Sequence, residues 1–266
     1  MIKIQDITLG QYAPGDSVIH CLDPRTKVLS TLFLMSLLLV THRLEILLLF
    51  FILCIIFFIL AGLSPKLAFQ NLKPFFWLFL LTFVLNAMFT KGEILYKIPF
   101  LNVYLTVEGI FRGVFYTLRI AILVVLANLL TLTTSPMSLT DGIERFLSPL
   151  KRIGIRSHEI AMMLSISLRF IPILLEESDR IRKAQTSRGG TFEGNILKKA
   201  KSIIPLIVPL FLSTFRRAND LALAMEARCY RGGEERTSYN ILRFRWTDGV
   251  VLLGVFSISF PVILIR

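Results

Sequence analysis

The sequence predicts an all-α, polytopic membrane protein with a helical cytoplasmic domain of long amphipathic helices. Hydrophobic residues fill 54% of the 266 positions and charged residues only 18%, whereas about a quarter of a soluble domain is charged. Apolar runs of membrane-spanning length recur, and the basic segment 135–245 interrupts them. We therefore expect a lead-in and four transmembrane helices in 1–134, the cytoplasmic domain in 135–245, and a last span in 246–266.

The first two spans follow a helix start at Asp23-Pro24. The Asp23 carboxylate suits the N-cap and Pro24 the first helical position. The apolar stretch that follows is too long for one helix across a bilayer core of about 30 Å. Because polar residues interrupt it at 41–43, we expect two spans, at about 28–42 and 44–62.

Two further spans are expected at 74–90 and 106–132, on either side of the polar connection Lys91–Leu105. The fourth span carries Arg112 and Arg119 near its start. Arginines seven residues apart share a helix face, and near a helix end such side chains extend to the membrane interface. A charge inside a span can also mark a functional site.

The basic segment contains three predicted helices. Ser138 and Asp141 resemble a capping box, so a short helix is expected from Ser138 to about Leu150. Apolar residues at helical spacing then predict long helices over about 157–187 and 195–227. Three prolines, which are expected to kink the long helices, are Pro172, Pro205 and Pro209.

Both long helices end at an arginine near a glycine. A glycine there accepts the left-handed conformation, and the cation faces the negative end of the helix dipole. Cys229 follows Arg228 where such a glycine is expected, so a stop at Gly232-Gly233 would let the second helix run one turn longer. Beyond this structural interpretation, each arginine could dock into a partner.

The distribution of charge predicts the topology. Of the 30 lysines and arginines, 19 lie within 135–245. Arg25, Lys27, Lys66 and Lys73 flank span ends that a five-span chain places on the same side. The positive-inside rule therefore predicts a cytoplasmic N-terminus, a cytoplasmic 135–245 segment and an outward C-terminus. The same rule accounts for the net charge of +12 and disfavours a nucleic-acid partner.

No catalytic, metal or cofactor site is indicated. The chain has no Walker-type phosphate loop, and the adjacent Glu176 and Glu177 diverge on a helix. The three cysteines and three histidines are too widely spaced for a disulfide framework or a metal-ligand set. They are Cys21, Cys54, Cys229, His20, His42 and His158.

Several motifs occur in an order that resembles one family. They lie at His20–Lys27, Thr134–Pro136, Leu139–Glu144, Ser167–Pro172 with Glu176-Glu177, at Pro205, at Phe215–Ala218 and at Ala222–Gly233. On these motifs nearly the whole chain resembles the transmembrane T component of energy-coupling factor (ECF) vitamin transporters, a group related to the cobalt-transport permease.

The resemblance implies a non-catalytic scaffold in the lipid bilayer. It would join a membrane substrate-capture subunit (the S component) to two ABC ATPases, EcfA-like and EcfA′-like, which bind ATP and Mg. The two long helices would be coupling helices, each inserting its arginine end into one ATPase. In this sequence those ends comprise Ser187, Arg188, Gly189, Ala227, Arg228 and Cys229, with Arg231 as a further candidate.

Three alternatives remain open. One is a permease subunit of a dedicated cobalt or nickel system. A membrane-embedded enzyme would need polar residues that converge at one depth, for which Arg112, Arg119 and Asn128 are the candidates. A channel or secondary carrier would show inverted repeats, whereas the two halves of this chain differ in kind.

The coupling helices carry more apolar surface than a contact between two crossing helices would bury. They could pack on each other and on the short helix at 138–150, or form a platform for the S component. Large exposed apolar patches usually mark interaction sites, and methionine-rich ones can re-pack against different partners. The candidates are Met162, Met163, Ile166, Phe170, Leu174, Ile203, Ile207, Leu210 and Phe211.

Overall fold

We describe the fold from a computed structural model, for residues 12–98, 103–147, 154, 156–190, 196–232 and 244–264. Within these residues the helices are α1 Pro24–Val40, α2 Leu44–Leu60, α3 Pro65–Leu72, α4 Phe76–Phe89, α5 Val107–Thr133, α6 Pro136–Leu147, α7 Ser157–Ser187, α8 Ile196–Ala227 and α9 Trp246–Leu264. A 3₁₀ turn, Lys73–Phe75, joins α3 to α4. Residues 1–11 of the lead-in and Gly233 lie outside the described residues.

The chain divides into two compact units. One, which we call the span unit, comprises Gly10–Ser135 and Leu242–Arg266, and the other, the basic unit, comprises Pro136–Ile241. The all-α fold class is confirmed, and the long helices α7 and α8 lie within one residue of their expected bounds. The assignment of 135–245 to the cytoplasm stays a prediction.

The span unit begins at the predicted cap. The Asp23 side chain accepts a hydrogen bond from the backbone N–H of Arg25 at 3.0 Å, and Pro24 occupies the first helical position. Helix α1 ends at Val40 and α2 begins at Leu44, so the interruption at 41–43 separates two helices as expected.

Four helices of the span unit share one apolar core. Residues from α1, α2, α5 and α9 meet there, and the largest fully buried side chains are Leu38, Leu47, Phe50, Ile122 and Leu126. Other faces of the same helices stay exposed, for example Ile52 at 58% and Ile59 at 72%. An apolar outer surface around an apolar core is typical of helices that face lipid.

Helices α4 and α5 approach closely at two glycines, Gly109 and Gly113. A Cβ atom on Gly109 would lie 2.8 Å from the carbonyl oxygen of Ala87, and one on Gly113 would lie 3.1 Å from that of Phe83. The spacing Gly-x-x-x-Gly is typical of helix contacts in membranes. It was present in the sequence and could have predicted this pair.

A β-hairpin occupies part of the predicted polar connection Lys91–Leu105. Strands β1 (Ile94–Ile98) and β2 (Val103–Thr106) pair antiparallel. At the end of β2, the Thr106 hydroxyl donates to the carbonyl of Thr90 at 2.8 Å and accepts from the N–H of Gly109 at 3.1 Å. Thr106 thus caps α5 and ties its start to the end of α4.

Arg119 is buried near the middle of the 27-residue helix α5, which corrects the expectation that it extends to the interface. The residue is 8% exposed, and its guanidinium carbon lies 5.0 Å from the ring centre of Phe115 and 5.7 Å from that of Tyr116. Its Nε and Nη2 atoms have no hydrogen-bond partner among the described residues. Arg112 is exposed and Asn128 half-buried, so of the three candidates Arg119 alone has the burial expected of an intramembrane site.

In the basic unit, α6 begins at Pro136 rather than at Ser138 as expected. Proline is favoured at the first helical position because its fixed φ suits a helix start. Between α6 and α7, the Nδ1 atom of His158 lies 2.8 Å from Oε1 of Glu144.

The long helices α7 and α8 continue through their prolines. Between them, Arg217 donates from Nη2 to Oε2 of Glu177 at 3.2 Å. This ion pair places one member of the Glu176-Glu177 pair in a structural contact between the two helices.

Three stretches among the described residues are long and apolar enough to cross a membrane. They are Gln70–Phe89, Val107–Thr133 and Ser157–Ser187, and Leu44–Leu60 and Trp246–Ser257 are shorter apolar helices. Ser157–Ser187 is the helix that was expected to lie in the cytoplasm. Its composition permits either location, so its side of the membrane stays a prediction.

Candidate functional site

The first arginine end is a complete helix C-cap. Helix α7 ends at Ser187, and Arg188 is its C-cap residue. Gly189 has φ +85°, its N–H donates to the carbonyl of Thr186 at 3.0 Å, and the N–H of Gly190 donates to that of Gln185 at 2.9 Å. This pair of bonds is the Schellman motif, which satisfies the last free carbonyls of a helix.

The second end repeats this geometry without the glycine. Cys229 has φ +56°, a rare conformation for a residue with a side chain. Its N–H donates to the carbonyl of Glu226 at 2.9 Å, and the N–H of Tyr230 donates to that of Met225 at 3.0 Å. Helix α8 therefore stops at Ala227, and the expected extra turn toward Gly232 is wrong.

The two ends present equivalent arginines. Arg188 and Arg228 both hold the C-cap position, directly after the last helical residue, and both are exposed. Each guanidinium is permanently charged and presents a planar fork of hydrogen-bond donors, which suits a carboxylate or the carbonyl end of a helix in a partner. Arg231 is also exposed, but it lies beyond the cap.

The nine candidate platform residues divide by exposure. Met163, Ile203, Ile207 and Phe211 are exposed. The remaining five are half-buried: Met162, Ile166, Phe170, Leu174 and Leu210. The α7 members therefore lie mostly toward neighbouring helices, whereas those on α8 lie mostly on the surface.

The exposed apolar surface of α8 is wider than the predicted platform residues alone. The exposed candidates Ile203, Ile207 and Phe211 form one row along the helix. A second row beside it, also spaced by about one helical turn, consists of Ile204, Val208 and Leu212, and Phe215 is exposed as well. The rings of Phe211 and Phe215 are 4.7 Å apart. No described side chain of α8 is buried. The recurrence of large apolar residues at i and i+4 could have predicted this row.

Comparison with known proteins identifies the family. The family model CbiQ, described as "Cobalt transport protein", matches residues 15–239. The chain belongs to the CbiQ family. That range includes α1 to α8 and both arginine ends, so family membership applies to the basic unit as well as to most of the span unit.

Curated relatives of this CbiQ family member match nearly its full length. Each of the following is named "Energy-coupling factor transporter transmembrane protein EcfT". The protein of Thermosediminibacter oceani is 50% identical over 246 residues, 92% of each chain. That of Acidaminococcus fermentans is 50% identical over 260 residues, 95% of each chain. That of Bacillus subtilis is 40% identical over 258 residues, 96% of this chain and 97% of its own.

These findings confirm the predicted resemblance and the multi-pass membrane class. Relatives named as transmembrane proteins match nearly the whole chain, and apolar stretches long enough to cross a membrane are present. The chain is therefore a multi-pass protein of the cell membrane. Within the described residues, no group of three or more histidine, cysteine, aspartate or glutamate side chains is arranged to hold a metal ion.

Proposed function

We propose that this chain is the non-catalytic coupling subunit of an ECF-type importer of vitamins or other micronutrients. It transmits the motion of two ABC ATPases, which bind ATP and Mg, to a membrane S component that carries the substrate. The names of the relatives and the family support this assignment. The observation that carries it is the pair of matched helix ends with Arg188 and Arg228 exposed at the tips.

Matched ends suit a pair of related ATPases. Each cap uses its own backbone hydrogen bonds to satisfy the last carbonyls of its helix, so the arginine side chain is free to bind outside the chain. A rigid helix of about 47 Å, the length of 31 residues at about 1.5 Å each, can carry a displacement of its tip along its axis. Rigid-body and shear movements of this kind are common in switching proteins.

Charge reversal at the arginine ends tests the ATPase contact. Arg188→Glu and Arg228→Glu should each weaken binding of the ATPases, and the double variant should abolish assembly. Loss of one desolvated charge pair costs about 2–5 kcal/mol, or at least about 30-fold in affinity. Arg216→Glu is the control, because Arg216 is also exposed on α8 but lies three turns before its end.

Pull-down of both ATPases with the tagged chain, followed by uptake assays in vesicles, provides the measurement. Assembly and uptake at wild-type levels in the double variant would contradict the proposal. Arg228→Lys separates charge from the donor fork, since lysine keeps the charge but loses the planar geometry.

We further propose that the exposed apolar surface of α8 holds the S component. Ile207→Asp and Phe211→Asp, at 53% and 61% exposure, should lose the S component while the ATPases stay bound. Leu223→Asp is the matched control, since Leu223 is equally exposed, at 64%, and lies outside the two rows. Equal loss of both partners would show that these residues are core, as the alternative interpretation holds.

A dedicated cobalt or nickel permease is the second candidate, and the description of the matching family favours it. Both functions predict co-purified ATPases, so that observation does not separate them. Uptake by the purified complex does. Saturable uptake of labelled Co²⁺ or Ni²⁺ supports the metal permease, and uptake of a labelled vitamin, selected by the co-purified S component, supports the ECF importer.

A further inference from the structure

A cluster of buried polar groups in the span unit has no place in the function proposed above. It comprises His20, Asp23, Lys27, Thr133 and Asp248, and we call it the capping cluster. Apart from the half-buried His20, its members are at most 7% exposed. Three of them belong to the motif His20–Lys27. Buried charges are costly unless they are paired and hydrogen-bonded, so the bonds within the cluster explain its stability.

The Asp248 carboxylate caps two helices at once. Its Oδ2 accepts from the N–H of Arg245 at 2.7 Å, which is the return bond of a capping box at the start of α9. Its Oδ1 accepts from the N–H of Asp23, the N-cap residue of α1, at 2.9 Å. Asp248 is fully buried, at 0% exposure. The starts of α1 and α9 are therefore joined through one side chain.

Lys27 joins α1 to the end of α5. Its ammonium donates to the carbonyl of Thr133, the last residue of α5, at 2.9 Å and to that of His20 at 3.0 Å. A cation is favoured there by the negative end of the helix dipole. The His20 ring donates from Nε2 to the carbonyl of Ala13 at 3.0 Å, and its Nδ1 lies 2.7 Å from the Ser17 hydroxyl oxygen.

The capping cluster lies where the chain leaves and re-enters the span unit. The chain passes into the basic unit after Ser135 and returns at Leu242. Thr133 is two residues before the first crossing, and Arg245 is three residues after the second. Lys27, in the first turn of α1, binds Thr133. Asp248 binds Arg245 and also Asp23, the N-cap residue of α1.

We infer that the capping cluster is a positioning device. It fixes the end of α5 and the start of α9, where the chain leaves and re-enters the span unit, rigidly to α1. A displacement of the basic unit then moves α1, α5 and α9 together instead of fraying α5 and α9 separately. Rigid packed elements transmit a displacement that a loose joint would absorb. This inference rests on the proposed coupling function.

The test compares transport per ATP hydrolysed in assembled complexes. Lys27→Met removes the ammonium, and Asp248→Asn leaves one acceptor oxygen where the carboxylate has two. The controls are Lys91→Met and Glu45→Gln, which change exposed residues of the span unit. Complexes of equal ATPase content are reconstituted in vesicles, and uptake and ATP hydrolysis are measured on the same sample.

Both cluster variants are expected to keep ATP hydrolysis and to lose at least about fivefold in uptake per ATP, the lower end of typical coupling between sites. The controls should match wild type. Equal uptake per ATP in both cluster variants would overturn the inference. So would failure of both to assemble, because the cluster would then serve folding alone. A wild-type complex that lacks ATPases or does not couple refutes the proposed function itself, independently of these variants.

Discussion

Replacing Cys229 with glycine should strengthen the end of α8. Cys229 has φ +56°, in the left-handed region that costs a residue with a Cβ atom about 1–2 kcal/mol. Glycine removes that cost but loses about 0.4–1 kcal/mol through the greater entropy of its unfolded chain. The net gain is about 0.8 kcal/mol, which lowers the opening constant of the last turn roughly fourfold.

The matching end of α7 supplies the reverse experiment. Gly189 has φ +85°, and a Cβ atom built there meets nothing within 4 Å. Gly189→Cys therefore adds backbone strain without a steric clash, and the same arithmetic predicts a loss of about 0.8 kcal/mol. Cys229→Ser is the matched control, because it removes the thiol but keeps a side chain in the left-handed conformation.

Hydrogen exchange of the last-turn amides measures the effect. In Cys229→Gly, the N–H of Arg228, which donates to Ala224 and Met225 at 3.3 and 3.2 Å, should exchange about fourfold more slowly after correction for intrinsic rates. In Gly189→Cys, the N–H of Arg188 should exchange faster by a similar factor. Slower exchange in Cys229→Ser as well, or no change in Cys229→Gly, would refute the backbone explanation.

Three further predictions concern single side chains. Gly109→Ala places a Cβ atom 2.8 Å from a backbone oxygen of α4 and should cost about 1–3 kcal/mol, measured as a lower Tm in detergent, whereas Gly254→Ala, with open space around it, should be neutral or stabilising. Arg119→Met replaces a buried cation that lacks hydrogen-bond partners at Nε and Nη2 among the described residues, so Tm should hold or rise; a clear fall in Tm would show that its ring contacts dominate. Burial, with added repulsion from Glu144, raises the pKa of Asp141. The folded state therefore loses stability as pH rises from the ordinary pKa of this carboxyl to its raised value, and Asp141→Asn should abolish that loss; a constant difference in Tm between variant and wild type across this acidic range would contradict it.

Local rules predicted most of the helices. The cap at Asp23-Pro24, the bounds of α7 and α8, and the separation of α1 from α2 at 41–43 depend on residues within about one helical turn of each boundary. Such interactions are readable from the order of residues alone. Family motifs spread over the chain likewise led to the right family, because each one is a short sequence.

Local rules did not predict the conformation of Cys229, although all the groups involved are neighbours. The two hydrogen bonds of the Schellman motif and the end of the helix at Ala227 hold this residue in the left-handed region. A residue with a side chain is unfavourable in this conformation by about 1–2 kcal/mol. The backbone preference of cysteine therefore predicted that the helix would end later, at the glycines. The cap bonds offset that cost.

The sequence by itself determined the class of the protein, its helices and the two arginine ends, since these follow from composition, periodicity and short-range capping. Only the tertiary structure decided that Arg119 is buried against the rings of Phe115 and Tyr116, and that Asp248 accepts a hydrogen bond from the N–H of Asp23, 225 residues away in sequence. Burial and long-range bonds depend on which helix faces meet. The hydrophobic pattern alone is compatible with many pairings of apolar helices, and these pairings have similar energies. Specific packing, such as the close contact at Gly109 and Gly113, selects one of them.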